Sequence, residues 1–337
     1  MSRPLFWLTA AGRHGPLLLC VGVTIGLFLP AWADAARPLM GVAVFIFTLG
    51  AFLRVEASAF ALEMKSRLRI CLILAWTTFG VPGAAYLLVR TTHLPADIDV
   101  GIVLASLAPP VGSAAAIVAM LGLNASLALI CTVAATVAAP VYLPQLANLM
   151  AGAQLEIDMA ALSMRLAVIV GGAAACSWLL QRYAGASVRA NPHAMTGISV
   201  VELIVVAIGA MHGMNQQIST DPLRAFEVLM LAFGMNILLQ IAGAAMFFHA
   251  GQVRSLTIGL VSGNRNVTLV WAAATPFLAA RPGAELFLAM SAFPIFMLPL
   301  AMKRSLPWVR SMAKILDRPT IAPRLVDSLG RRDRPVA

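Results

Sequence analysis

The sequence LTIGLVSGNRNVTLVWAAATPFL (residues 256–278) places a permanent cation, Arg265, between two amides, Asn264 and Asn266, in a mostly apolar segment. A run of this length and composition is typical of a membrane-spanning helix. A charge at that depth is costly unless it faces a cavity or a partner, and it usually marks an ion or substrate pathway. Gly263 beside it tolerates non-helical backbone. The stretch therefore predicts a membrane helix that breaks at a functional site.

A second break is predicted at PPVGS (109–113), inside an apolar run in the first half of the chain. Pro109 and Pro110 remove backbone donors, while Gly112 and Ser113 accept irregular geometry. Two interrupted segments, one in each half, are the best sequence indication of a secondary transporter's binding site. The alternatives are a simple proline kink here, and helix–helix contacts through small and amide residues at the other break. The charge of Arg265 favours a site.

The composition indicates an integral membrane protein. Hydrophobic residues make up 60% of the 337 and charged residues 11%, against about 45–50% and about 25% in soluble domains. Nine of the 24 basic residues follow residue 302, which favours a cytoplasmic tail near anionic lipid over a nucleic-acid partner. The sequence has no paired cysteines, metal-ligand cluster or nucleophile–base pair, so we expect no metal or cofactor. A membrane-embedded enzyme or receptor is the disfavoured rival class.

Apolar stretches long enough to cross a bilayer can be placed ten times. The predicted spans are 15–32, 38–54, 69–89, 98–122, 125–149, 160–181, 196–217, 225–248, 253–279 and 284–302. The predicted organisation is a cytoplasmic N-terminus (1–14), a membrane domain (15–302) and a basic cytoplasmic tail (303–337). Arg13, the following apolar run and Ala33-Asp34-Ala35 imitate a signal peptide, an alternative that would leave nine helices.

A faint internal repeat appears at a shift of 154 residues. It relates repeat 1 (about 15–150) to repeat 2 (about 160–302), and an odd number of helices per half inverts the second repeat in the membrane. The matching landmarks are Pro38 with Pro192, Pro140 with Pro294, and Pro110 with Asn264. Connections on the side of the two termini carry 18 basic residues, and those on the other side carry 5. We therefore expect both termini to be cytoplasmic, in a multi-pass protein of a bacterial inner membrane.

Four motifs resemble the bile acid:sodium symporter family. They are Ala108-Pro109-Pro110-Val111-Gly112, Leu121-Gly122-Leu123-Asn124, Ala139-Pro140 with Pro144, and Ser262-Gly263-Asn264-Arg265-Asn266. The resemblance covers most of the membrane region and excludes the tail. It implies an all-helical protein of ten helices in two inverted repeats, whose broken fourth and ninth helices cross near the sodium sites. It also implies a core of helices three to five and eight to ten, with a panel of one, two, six and seven.

The departures from the family pattern fall on the sodium ligands. Thr132 is kept, and Thr77 corresponds to a family glutamine. The family's serine–asparagine pair, fifth-helix serine, acidic residue and ninth-helix glutamine correspond to Ala114, Ala115, Ala128, Val261 and Arg265. Sodium is a hard cation that needs oxygen ligands, so sodium coupling is not favoured. Losing the acid and gaining the arginine together add two positive charges, the charge of two sodium ions.

These departures suggest that Arg265 is a tethered replacement for bound sodium that also attracts an anion. We expect its hydrogen-bond partners to be Thr132, Thr136 and freed carbonyls in 109–113. Glu202, an acid inside the seventh span, could pair with Arg265 or relay a proton. An alternative is that Glu202 extends to the cytoplasmic surface.

Asn236 and Gln240, four residues apart on the eighth span, either face the cavity or support a helix contact. The predicted function is secondary active transport of a small or amphipathic organic anion by alternating access. The runner-up is a sodium symporter that uses backbone carbonyls and Thr132. Sterol, pantothenate-like and keto-acid substrates all stay open, as do the oligomeric state and the coupling ion.

Overall fold

The computed structural model describes residues 15–54, 67–152, 158–190, 192–278, 280–295 and 297–303. Within these ranges the chain is helical with short connections, and its one extended pairing is an isolated bridge between Pro110 and Arg265. The predicted N-terminal segment 1–14 and the tail from 304 onward lie outside the described residues.

In the first half of the chain the third predicted span contains a short π-helix and the fourth is divided in two. The helices are Gly15–Phe28, Pro30–Ala36, Met40–Leu53, Arg67–Ala75, the π-helix Trp76–Gly80, Val81–Thr91, Ala96–Leu107, Ala114–Met120 and Ala125–Ala151. A 3-10 turn, Arg37–Leu39, joins the second of these helices to the third.

In the second half the ninth predicted span is divided. The helices are Met159–Ala190, Pro192–Ala210, Met214–Thr220, Pro222–Met246, Gln252–Gly263, Val267–Leu278 and Pro282–Met290. The tenth predicted span continues as helix to Lys303.

The helices have the length and the surface of a membrane protein. By length and composition six can cross a bilayer: Pro30–Leu53, Arg67–Thr91, Ala125–Ala151, Met159–Ala186, Pro222–Met246 and Pro282–Lys303. Large apolar side chains face outward, as at Leu68 and Leu149, which are 74% and 75% exposed. A protein surrounded by water rarely exposes so much apolar surface. The all-helical membrane fold is confirmed at this level, while the count of ten spans and the inverted repeat stay predictions.

Both predicted helix breaks are present. The helix Ala96–Leu107 ends two residues before Pro109, and helical geometry resumes at Ala114. In the second half Gln252–Gly263 ends at an extended Asn264, and Val267–Leu278 begins three residues later. Each apolar span is therefore two half-helices separated by a short irregular segment.

Glycines bring the helix Pro222–Met246 into close contact with the half-helix Gln252–Gly263. A Cβ atom on Gly259 would lie 2.6 Å from the Gln240 carbonyl oxygen, and one on Gly263 would lie 2.5 Å from that of Asn236. Small residues at membrane helix interfaces allow backbones to approach in this way. The contact places Asn236 and Gln240 directly against the second break.

We predict that Gly263→Ala destabilises the protein, because the added methyl group has no space against the Asn236 backbone. Overpacking of this kind typically costs about 1–3 kcal/mol. The measurement is the melting temperature of the purified protein in detergent. Gly234→Ala is the matched control, since a Cβ there meets nothing within 4 Å. Equal melting temperatures for the two variants would contradict the packing argument.

Candidate functional site

The two helix breaks meet and pair through their backbones. The Val111 N–H donates to the Asn264 carbonyl at 2.9 Å, and the Asn266 N–H donates to the Pro109 carbonyl at 2.7 Å. Pro110 and Arg265 thereby face each other in an antiparallel bridge. Residues 108–113 and 264–266 are called the crossover below. Pairing satisfies backbone groups that the unwound chain would otherwise leave unpaired at membrane depth.

Arg265 is buried at the crossover and bonds to carbonyl oxygens. The residue is 2% exposed, and its Nη2 donates to the Thr77 carbonyl at 2.8 Å. Nη1 makes a longer contact, 3.5 Å, with the Val261 carbonyl. The ion pairs within the described residues are Arg37–Glu285, His212–Asp34 and Arg281–Asp97, so none includes Arg265. The charge is compensated by backbone dipoles instead of a carboxylate.

The Thr77 carbonyl is free for Arg265 because of local helix geometry. Thr77 lies in the π-helix Trp76–Gly80, where the Val81 N–H bonds to the Trp76 carbonyl instead of the Thr77 carbonyl. Pro82, the next residue, has no N–H. The Thr77 carbonyl thus lacks its usual partners in the helix and accepts from Arg265. The Thr77 hydroxyl donates to the Leu74 carbonyl of its own helix at 3.1 Å.

The hydrogen-bond partners predicted for Arg265 were therefore wrong, although carbonyl oxygens were the right kind of acceptor. The Thr132 hydroxyl is buried without a hydrogen-bond partner. The Pro109, Val111 and Ser113 carbonyls accept from the backbone N–H groups of Asn266, Ala114 and Ile117. The hydrogen bonds of Arg265 go to Thr77 and Val261 instead of residues 109–113. Thr136 is also buried, one turn beyond Thr132.

Asn236, in the eighth predicted span, forms hydrogen bonds to the second helix break. Its Nδ2 donates to the Gly263 carbonyl at 3.0 Å and to Asn264 Oδ1 at 3.2 Å. Gln240 Nε2 donates to Asn236 Oδ1 at 2.6 Å and fixes the orientation of the amide. Of the two roles open for Asn236 and Gln240, both residues make the helix contact, which caps the end of a half-helix, and Asn236 also lines a small cavity.

Asn266 and Ser262 complete the two sides of the second break. The Asn266 side-chain oxygen accepts from the Leu269 N–H at 3.3 Å and from the Thr268 hydroxyl at 2.9 Å. It therefore caps the half-helix Val267–Leu278. The indole of Trp76 donates to the Ser262 hydroxyl at 2.9 Å, which connects the π-helix to the crossover.

At the first break a tyrosine is the side-chain donor to a backbone carbonyl. The Tyr142 hydroxyl donates to the Leu107 carbonyl at 3.0 Å. Leu107 and Val261 are 154 residues apart, the shift of the internal repeat. These two carbonyls, near the ends of the first half-helices, thus accept from Tyr142 and from Arg265 respectively. Trp76 and Tyr142 were missed by the sequence reasoning, although polar aromatic residues beside helix breaks are natural candidates for such donors.

Four buried polar atoms in or next to the crossover have no hydrogen-bond partner. They are Ser113 Oγ, Thr132 Oγ1, Asn264 Nδ2 and Arg265 Nε. All four can donate a hydrogen bond. The family's ligand positions Ala114, Ala128 and Val261 are fully buried and supply no side-chain oxygen. The local chemistry therefore suits an electron-rich group better than a hard cation.

The crossover is tightly enclosed. The Phe47 ring covers the first break, since a Cβ on Gly112 would lie 2.9 Å from Phe47 Cε1. On another side a cavity of about 30 Å³ is lined by Arg265, Asn236, Ser106 and apolar side chains. A space of that size holds about one or two water-sized groups. It is too small for an organic anion in this conformation.

The interactions of Glu202 do not involve Arg265. It is buried in the helix Pro192–Ala210, and neither carboxylate oxygen has a hydrogen-bond partner. The charge that interacts with it is Arg54, at the end of the helix Met40–Leu53. Of the roles left open for Glu202, pairing with Arg265 is absent, and the burial of both carboxylate oxygens does not match a side chain that extends to the cytoplasmic surface.

Arg37, at the start of the second span, is joined to the start of the tenth span by an ion pair. Arg37 Nη2 lies 2.7 Å from Glu285 Oε1. The Arg37 guanidinium is 5.6 Å from the centre of the Trp271 ring, and the Trp271 indole contacts the same Glu285 oxygen at 3.5 Å. This partly buried cluster links the helix containing Phe47 to the second half of the broken ninth span.

The fold and the site together define a class of protein. Two broken apolar helices that meet with a buried charge between them are a construction known from membrane transporters. No family model matches the chain. It is similar to a protein of Bacillus subtilis (strain 168) named uncharacterized sodium-dependent transporter YocS, with 23% identity over 279 residues, 81% of this chain and 86% of the relative. The helices and this similarity indicate a multi-pass membrane transporter.

We predict that Pro82→Ala weakens function without weakening the fold. The new N–H at position 82 can take the Thr77 carbonyl from Arg265, while a proline removed from a helix interior is normally stabilising. The expected result is lower transport activity in proteoliposomes with an unchanged or higher melting temperature. Pro276→Ala, at an exposed helix position away from the crossover contacts, is the control. Uptake by Pro82→Ala at the level of the unmodified protein would show that the freed carbonyl is unimportant.

Proposed function

We propose that the protein is a secondary active transporter that carries a small or amphipathic organic anion across a bacterial inner membrane by alternating access. Ten spans in two inverted repeats, with both termini cytoplasmic, form part of this proposal. Support comes from the paired helix breaks, the apolar helices and the similarity to a protein named as a transporter. The resemblance to bile acid:sodium symporters supplies the substrate class.

One observation carries the proposal: the Arg265 guanidinium is bound by carbonyl oxygens from two helices at the crossover. Carbonyl oxygens are the groups that hold a hard metal cation in unwound transporter helices. Here a covalently attached cation occupies that position and keeps its charge throughout the cycle. Arg265 Nε and the neighbouring unpartnered donors then supply positive potential for a carboxylate.

Alternating access requires the enclosed crossover to open. In the proposed cycle the helix containing Arg37 and Phe47 belongs to the panel, and Glu285 and Gly112 belong to the core. Opening on the side opposite the termini then separates Arg37 from Glu285 and moves Phe47 away from Gly112. The 2.7 Å ion pair and the close Phe47 contact support a conformation closed on that side.

Sodium-coupled transport of an organic anion is the second candidate, and the name of the relative favours it. In that case sodium would use backbone carbonyls and Thr132, whose hydroxyl has no other hydrogen-bond partner. Against it stand the alanine and valine side chains at Ala114, Ala128 and Val261, which offer no oxygen ligand. The two candidates differ in one measurable property, the dependence of transport on sodium.

We predict sodium-independent transport, because Arg265 already supplies the charge and the oxygen ligands are missing. Proteoliposomes should take up one or more members of a panel of sterol carboxylates, pantothenate and keto acids equally in sodium and in choline buffers. Thermal stabilisation by the transported acid should also be equal in the two buffers. A tenfold or greater dependence on sodium, which corresponds to about 1.4 kcal/mol of coupling, would establish the second candidate instead. Absence of uptake for the whole panel in both buffers would count against the anion-transport proposal itself.

A further inference from the structure

The helix Met159–Ala190 is longer than a bilayer requires. Its 32 residues extend about 48 Å at 1.5 Å per residue, against a hydrocarbon core of about 30 Å. It is the least buried of the six long apolar helices, and over its first two-thirds one face is exposed with residues such as Met164 and Val168. The apolar part therefore lies in lipid, and the part after about 20 residues reaches the membrane–water interface.

An exposed aromatic and basic cluster lies at that level of the helix. Trp178 is 60% exposed and Tyr183 is 79% exposed. The Arg182 guanidinium carbon is 5.4 Å from the centre of the Trp178 ring and 5.9 Å from that of Tyr183. Tryptophan and tyrosine concentrate at membrane interfaces, where an apolar ring with a polar atom is best accommodated. Two ring contacts fix the position of a side chain that would otherwise be mobile.

The Arg182 guanidinium has no ion-pair partner within the part of the chain that the structure describes. None of the ion pairs in the described ranges includes it. Its neighbour Gln181 donates to the Phe52 carbonyl at 3.2 Å and to the Ser177 hydroxyl at 3.3 Å, which holds this face of the helix against the protein. Arg182 is therefore presented outward from an anchored turn.

We propose that Arg182, with Trp178 and Tyr183, binds the phosphate of an anionic phospholipid. In the orientation proposed above this lipid belongs to the cytoplasmic leaflet. The planar guanidinium can donate two parallel hydrogen bonds to phosphate oxygens while its faces stay against the rings. The two rings lie at the depth of the glycerol backbone, and the apolar helix face contacts the acyl chains.

A phospholipid fits this surface better than a second copy of the chain. The cluster is exposed, carries a positive charge that no ion pair within the described residues compensates, and continues directly into an apolar lipid-facing surface. An isologous contact between two copies would bring two such arginines together, and like charges at one interface oppose association. Anionic headgroups of the cytoplasmic leaflet have the opposite charge and are present at high density.

The chain contains a matched control for the cluster. Arg90 lies over the Tyr86 ring at 5.1 Å, but its guanidinium also donates to the Tyr86 hydroxyl at 2.8 and 3.1 Å. It lies near the end of the helix Val81–Thr91. Arg90→Gln thus removes one exposed positive charge that lies over a ring, as Arg182→Gln does. The difference is that the Arg90 guanidinium already donates to the Tyr86 hydroxyl.

The test is binding of phosphatidylglycerol to the full-length protein in detergent, measured by native mass spectrometry, with phosphatidylcholine and soluble glycerol phosphate as parallel probes. We expect the unmodified protein and Arg90→Gln to prefer phosphatidylglycerol equally. Arg182→Gln should lose affinity for it by about fivefold, the effect of one basic residue near an anionic surface. Arg182→Lys should retain part of the preference, and no variant should bind glycerol phosphate detectably.

The outcomes separate the proposal from its rivals. Equal losses in Arg182→Gln and Arg90→Gln, or no loss in Arg182→Gln, would overturn a specific lipid site. A change from dimer to monomer in Arg182→Gln, measured by light scattering and without a change in lipid binding, would assign the surface to a second copy. Circular dichroism melting of each variant checks folding, and Trp178→Leu gives a second variant that leaves the charge in place and should weaken lipid binding.

Discussion

Backbone groups released by a helix break inside a bilayer have no water to bond with, and the structure is organised around this constraint. The two breaks satisfy much of it through each other, because Val111 and Asn266 donate across the crossover. Carbonyls at the ends of the half-helices need further donors. Tyr142 serves Leu107, Asn236 serves Gly263, and Arg265 serves both Val261 and Thr77. Tyr142, Asn236 and Arg265 therefore lie where the ends of the half-helices require donors.

This constraint gives Arg265 two linked roles. As a donor it stabilises helix ends that face each other, and as a cation it sets the electrostatic potential of the crossover. A bound sodium ion could perform both roles, but it would enter and leave with the transport cycle. A tethered guanidinium stays in place, so in the proposed mechanism it attracts an anion without linking the movement of that anion to a sodium gradient. The hydrogen bonds of Arg265 account for where the charge lies in the fold, and its permanent charge is the feature on which the proposed mechanism depends.

The breaks could be predicted from the sequence because prolines, glycine, amides and an arginine are conspicuous in apolar runs. That the two breaks cross was implied only by a family resemblance, since no local pattern records which segments meet. The partners of Arg265 were mispredicted for a physical reason: a hydrogen bond to a carbonyl depends on backbone geometry and leaves no side-chain signature. The Thr77 carbonyl is free because of a π-helix followed by Pro82. Only Pro82 is visible in the sequence. The role of Glu202 was left open for a similar reason, because distance along the chain does not show that Arg54 is its charged neighbour.

The most direct measurement is transport by position-265 variants together with sodium-dependent stability of a reconstructed site. Arg265→Gln should abolish organic-anion uptake, and Arg265→Lys should retain part of it, because lysine keeps the charge but not the planar set of donors. The combined variant Val261→Glu, Arg265→Gln, Ala114→Ser and Ala115→Asn should then gain a melting temperature that rises with sodium and not with choline. The unmodified protein should show no such rise. Normal uptake by Arg265→Gln, or a sodium-dependent rise in the unmodified protein, would contradict the account that the guanidinium replaces a bound cation.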